Sequence, residues 1–160
     1  MKIIVFSDSH RRLEGMRSVI EAEAPDYVFH LGDHDSDAEA LMREYPMLPI
    51  AAVRGNCDGW SDTPKTRSFV LGGLRFFLCH GHTYGVKGGY LQASYAALEQ
   101  NADVLLFGHT HEPYFELFET GDSKRLYLLN PGSCGCGYPS TYGRILLNAG
   151  QAPEFGYYKI

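Results

Sequence analysis

The chain has 160 residues, 44% of them hydrophobic, which suits one soluble domain over residues 1–160 with one core. A formal net charge of -5 excludes a sequence-wide basic field of the kind that gathers nucleic acid or anionic membrane. No apolar run is long enough to span a bilayer, and the short apolar stretch after Met1 is too brief for a signal peptide, so a cytoplasmic location with Cys57, Cys79, Cys134 and Cys136 as reduced thiols is expected.

The first half alternates strand and helix. Residues 2–7 are a near-continuous apolar run, as in a strand buried on both faces. Leu13, Met16, Val19, Ile20 and Ala24 recur at helical spacing within 12–24, and Pro25 stops them. Tyr27 to Leu31 reads as a second strand, Asp35 to Arg43 as a second helix and Ile50 to Val53 as a third strand. This β-α-β-α-β order implies parallel strands joined by right-handed crossovers.

The second half is richer in strands. Ser68 to Leu71 and Leu74 to Cys79 flank Gly72-Gly73, a hairpin signal. Tyr90 to Glu99 reads as a helix and Val104 to Phe107 as a strand. Tyr114 to Phe118 and Arg125 to Leu129 flank Gly121-Asp122, a second hairpin. Arg144 to Leu147 and Phe155 to Tyr158 close the chain. An α/β fold of two sheets packed face to face with helices outside fits this order.

Polar metal-ligand types sit at the ends of these strands. Five of the seven histidines fall in Asp8-Ser9-His10, His80-Gly81-His82 and Gly108-His109-Thr110-His111. An alternating D-x-H at a strand end sends carboxylate and imidazole to one side, although Asp8 is equally suited to capping the next helix. Gly32-Asp33 follows the second strand and is by itself an ordinary turn. Asn56 follows the third strand, where an amide oxygen can ligate a cation or the residue can hold a left-handed turn. The paired histidines around Gly81 read as ligands or as satisfied core residues. The His109-x-His111 alternation has little packing rationale and reads as a ligand pair. His30 lies inside a strand, where a core role is favoured. Cys134-Gly-Cys136 lacks the two-residue gap of a redox pair and reads as a Gly-rich turn.

Together Asp8, His10, Asp33, Asn56, His80, His109 and His111 are seven oxygen and nitrogen donors on five strand ends. Seven exceed the four that a single zinc site uses, and they suit two cations sharing a bridge. Mixed O and N donors favour manganese, iron, zinc or nickel over a soft-metal site, and manganese is the expected occupant.

The ordered blocks D-x-H, G-D, G-N-C-D, H-G-H and G-H-T-H, followed by Asn130-Pro131-Gly132-Ser133, resemble the calcineurin-like metallophosphoesterase superfamily and its compact YfcE-type branch. The resemblance covers essentially the whole chain and implies a four-layer α-β-β-α sandwich of two mixed sheets. It implies that Asp8, His10 and His111 hold one metal, that Asn56, His80 and His109 hold the other, and that Asp33 bridges them. It further implies phosphodiester hydrolysis by in-line attack of a metal-bridging hydroxide, with the cations about 3.5–4 Å apart.

Larger relatives carry His where this chain has Cys57. The residues expected to act directly on substrate are therefore His82, Asn56 and Asp58, with His34 as an alternative. Weak assistance to poor leaving groups is expected, hence a preference for activated aryl diesters over alkyl monoesters. The other class of function is a catalytically weak or inactive metal-binding scaffold resembling the retromer subunit of the same fold, and Ser7 or Ser9 as a nucleophile is disfavoured because neither lies in a nucleophile elbow.

The expected partner is a small phosphoester, nucleotide-derived as one option, with no membrane and no extended nucleic-acid surface. A homo-oligomer is left open. Lys65, Arg67, Lys87 and Arg11 are candidate phosphate contacts, with surface solvation as the alternative. Tyr138, Tyr142, Tyr157 and Tyr158 are left among core, cleft rim and subunit contact.

Overall fold

The computed structural model describes residues 1–121 and 124–160. The elements in chain order are β1 (Lys2–Phe6), α1 (Leu13–Glu23), β2 (Tyr27–His30), α2 (Asp35–Glu44), β3 (Ile50–Ala52), β4 (Thr66–Leu71), β5 (Leu74–Cys79), α3 (Leu91–Glu99), β6 (Val104–Leu106), β7 (Pro113–Glu119), β8 (Arg125–Pro131), β9 (Thr141–Leu146) and β10 (Glu154–Lys159). Every expected element is present, with ends no more than three residues from those expected. The Gly72-Gly73 hairpin joins β4 and β5 in antiparallel register. β7 and β8 also pair antiparallel, while the Asp122 half of the expected Gly121-Asp122 turn lies outside the described residues.

Two five-stranded sheets result, in the orders β10-β9-β1-β2-β3 and β4-β5-β6-β8-β7. β1, β2 and β3 are parallel to one another, and so are β5, β6 and β8. Antiparallel strands flank each parallel trio, so both sheets are mixed.

Alternation along the buried strands sets the layers. Ile3, Val5, Phe29 and Leu31 of the first sheet face Phe76, Leu78, Val104 and Leu106 of the second in a shared inner core. Ile4, Phe6 and Val28 point the other way, against Met16, Val19 and Ile20 of α1 and Leu41 of α2. On the far side Phe77, Cys79, Leu105 and Phe107 meet Ala93 and Ala97 of α3. The order is therefore α-β-β-α, as expected. α1 ends where Ala24 takes a left-handed conformation (φ 44°) just before Pro25. Tyr142 is buried, whereas Tyr138, Tyr157 and Tyr158 are exposed. No helix among the described residues is long and apolar enough to cross a membrane.

The architecture brings the carboxyl ends of β1, β2, β3, β5 and β6 to one edge of the sandwich, where loops gather in open α/β sheets. Phe29, fully buried beneath that edge, packs its ring against Tyr27, Phe69 and Phe76 at centroid separations of 5.0, 5.3 and 6.0 Å. Phe29→Ala is expected to lower unfolding free energy by about 3–5 kcal/mol, read as a reduced denaturation midpoint at unchanged slope.

Candidate metal centre

The loop after β1 delivers Asp8, which is fully buried. One oxygen is engaged: Oδ2 accepts from Ser7 Oγ at 2.5 Å and from the backbone N–H of His109 at 3.1 Å. The other, Oδ1, has no hydrogen-bond partner. His111 Nε2 approaches it at 3.0 Å and His80 Nε2 at 4.0 Å, the first without the alignment of a hydrogen bond. His10 Nε2 is likewise buried and unpartnered. One donor atom each from Asp8, His10, Asp33 and His111 lies within 4.8 Å of all the others. The capping expectation for Asp8 fails, because the residue preceding α1 is Arg12 and no side chain caps that helix.

A second group adjoins the first. His80 is buried, and its Nδ1 lies 2.8 Å from the carbonyl of Leu31. A carbonyl only accepts, so Nδ1 carries the proton and Nε2 presents a bare lone pair. That lone pair faces Asn56 Oδ1 at 3.1 Å and Asp33 Oδ1 at 3.5 Å, both acceptors. The His109 ring lies 5.0 Å from the His80 ring, and the His82 ring lies 5.3 Å from it. Asp33 borders both groups. The His80 Nε2 lone pair, Asn56 Oδ1 and Asp33 Oδ1 converging on one place are what a cation would reconcile, so the donor set fits metal.

Backbone conformation is strained where the donors sit. Asp8, His10, Asp33, His109 and His111 all have positive φ, between 45° and 69°, a region costing about 1–3 kcal/mol for a non-glycine residue. Two glycines make the close packing feasible. A Cβ at Gly55 would collide with Asp33 Oδ1, and one at Gly108 would collide with Ser7 Oγ.

Electrostatics favour the ligand forms. Burial opposes ionisation of Asp8, but the His111 contact and the Ser7 hydroxyl prevail and hold its pKa below the ordinary carboxylate value. Burial, with the Lys87 charge, pushes His109 down to about 4, leaving a neutral lone pair at neutral pH. Burial also lowers His82, whose Nδ1 is buried and unpartnered. His111 moves the other way, raised by its contact with Asp8 against the effect of burial.

Asp58 corrects a sequence expectation. Its carboxylate does not face the site but accepts four backbone N–H bonds. Those of Asp33 and Gly55 reach Oδ2 at 3.0 and 2.6 Å, and those of His34 and Asp35 reach Oδ1 at 2.6 and 3.0 Å. It ties the loop after β2 to the loop after β3 and has no position free for substrate. Asn56 and His82, by contrast, do border the donor groups. His34 stacks edge-on with His10 at 5.1 Å.

Sequence reading missed the supports beneath. His30 accepts the Gly32 N–H at Nδ1, so Nε2 donates to Ser9 Oγ at 3.0 Å. Ser9 Oγ in turn donates to Asp37 Oδ2 at 2.7 Å. Ser133 Oγ donates to the carbonyl of Asp8 at 2.8 Å. The only sequence signal was a polar residue within or beside an apolar run. Cys134-Gly-Cys136 forms the expected turn, with Cys134 buried against the carbonyl of Ser7 and both thiols free.

Asp58→Ala would leave four backbone donors without their acceptor while removing no direct ligand. Divalent-metal affinity, measured by calorimetry, is expected to fall about 10–100-fold in a chain that still folds.

A profile of the calcineurin-like phosphoesterase superfamily domain matches residues 1–149. The probable metallophosphoesterase YsnB of Bacillus subtilis is 34% identical, with 83% of this chain and 75% of YsnB covered. The phosphodiesterase YfcE of Escherichia coli is 32% identical, with 91% of this chain and 87% of YfcE covered. The solved YfcE structure superposes with a TM-score of 0.65 at 28% identity, over 90% of this chain and 87% of YfcE. Wild-type Vps29 from Entamoeba histolytica, solved in complex with zinc, superposes over 99% of both chains with a TM-score of 0.71 at 20% identity, a likeness of fold alone. The profile match spans every donor from Asp8 to His111, and the chain belongs to the calcineurin-like phosphoesterase superfamily.

Proposed function

We propose that this chain is a phosphodiesterase that works with two divalent cations, manganese by preference, in a cytoplasmic setting. Asp8, His10 and His111 would hold one cation, Asn56, His80 and His109 the other, and Asp33 would be shared. The observation that carries the reading is the set of buried polar atoms beside Asp33, above all Asp8 Oδ1 and His10 Nε2, that have no hydrogen-bond partner. The family membership and the phosphodiesterase name of YfcE support it.

When bound, the cations supply Lewis acidity, activating water and neutralising phosphoryl charge during in-line displacement. The chain's own groups set the conditions. The Leu31 carbonyl fixes the His80 tautomer. The Cys57 N–H, 2.8 Å from Asp33 Oδ1, orients the proposed bridge. His82 and the exposed amide of Asn56 border the donor groups and are assigned to substrate orientation.

Cys57 supplies little acid. Desolvation, then the Asp33 carboxylate, push its thiol up to about 11, so it protonates a departing alkoxide poorly at neutral pH. Activated aryl diesters are therefore the favoured test substrates. The scaffold alternative shares the fold of Vps29. It differs in predicting no turnover from a metal-loaded chain.

Purified protein is expected to contain close to two divalent ions per chain by elemental analysis. Chelation should abolish hydrolysis of an aryl phosphodiester and manganese should restore it. Fully loaded protein with no turnover would favour the scaffold. A second check concerns the leaving group: Cys57→His should raise kcat on an alkyl phosphoester by about tenfold or more and change the aryl rate much less. Equal effects on both esters would remove Cys57 from the explanation.

A further inference from the structure

A cleft of about 840 Å³, whose lining begins one residue after His10, opens between the first turn of α1, the loop before β9 and the end of β10. Arg11, Arg12, Arg17 and Lys159 line it, against a single acidic side chain, Glu14. In a chain of formal net charge -5 this is a local reversal of sign. Arg17 is already committed to Glu44, through contacts of 2.8 and 2.5 Å. The side chains of Arg11, Arg12 and Lys159 have no hydrogen-bond or ion-pair partner among the described residues.

Three further features point to an anion. α1 has no side-chain cap, so its first N–H groups lack a side-chain acceptor, and its first turn lines the cleft. The backbone N–H of Arg11 donates to Asp37 Oδ2 at 2.8 Å, fixing that arginine directly after His10. Arg12 is two residues from His10, a span of at most about 7 Å along the backbone. Guanidinium forks match phosphate oxygens in pairs. Tyr138, wholly exposed at the rim, offers a ring face on which a base can stack.

We propose that this cleft is a second anion subsite of the same active site, and that the substrates are phosphodiesters carrying an additional terminal phosphate. A 5′-phosphorylated dinucleotide is the simplest member of the class. Its scissile phosphate lies at the metal centre and its terminal phosphate lies among Arg11, Arg12 and Lys159. This inference rests on the phosphoesterase reading of the centre.

The test compares kcat/KM of the metal-loaded full chain on 5′-phosphorylated adenylyl-adenosine and on the same dinucleotide without the 5′-phosphate. The phosphorylated form is expected to be preferred by about tenfold or more, the size of one charge-assisted hydrogen bond. The R12Q/K159Q double variant should lose that preference. In parallel, the metal-free protein should bind inorganic pyrophosphate by calorimetry, and the double variant should bind it about tenfold more weakly. No preference in the native chain, a preference retained by the variant, or pyrophosphate binding unchanged by the substitutions would overturn the subsite while leaving hydrolysis intact. If the metal-loaded chain cleaves neither dinucleotide nor an aryl diester, the phosphoesterase reading fails, and the subsite fails with it.

Discussion

A fully buried carboxylate with one unanswered oxygen is the constraint around which this molecule is arranged. Removing an ion from water costs several kcal/mol unless partners replace the lost hydration. Asp8 Oδ2 has two such partners and Oδ1 has none. Around Oδ1 the chain places imidazole nitrogens and the Asp33 carboxylate rather than backbone donors. Imidazole lone pairs and carboxylate oxygens converging there are what a bound cation would satisfy. The same charge that satisfies the folded chain is then available to polarise a phosphoester, so stability and chemistry draw on one set of atoms.

The scaffold holds this arrangement against two opposing tendencies. Five donor residues occupy left-handed backbone conformations that relax if the loops come free. The loops are restrained from below by the inner core shared by the two sheets. They are restrained from the side by Asp58, which gathers four N–H groups, and by Ser133, which holds the Asp8 carbonyl. The His30–Ser9–Asp37 chain adds a third tie, between the loop after β1 and α2. Burial lowers the pKa of His30, so this tie is made by a neutral imidazole and carries no charge into the core. Strain at the donors and rigidity in the supports are thus two aspects of one design.

Much of this was legible in the amino-acid order because the donors follow apolar runs whose length and alternation mark them as strands. Ile3 and Val5 against Ile4 and Phe6 already announce a strand buried on both faces, and the structure places those faces in two different cores. The D-x-H and H-x-H alternations indicated donors on a common side. Asp58 was misread because a carboxylate near a ligand looks the same in sequence whether it turns toward substrate or toward backbone amides. Only the positions of four N–H groups on two loops distinguish these. His30 was correctly placed in the core, but its bond to Ser9 was not visible in the sequence. The basic cleft was invisible for a simpler reason: Arg12 and Lys159 lie near opposite ends of the chain and meet only through the pairing of β9 with β10 and of β9 with β1.

The most direct measurement is a crystal structure of the manganese-soaked protein with anomalous diffraction recorded at the metal edge. Two anomalous peaks, one on each side of the Asp33 carboxylate, with Asp8 Oδ1 and His10 Nε2 directed at the first and His80 Nε2 directed at the second, are the predicted result. A single peak, or density remote from Asp33 in a chain with its loops otherwise unchanged, would contradict it.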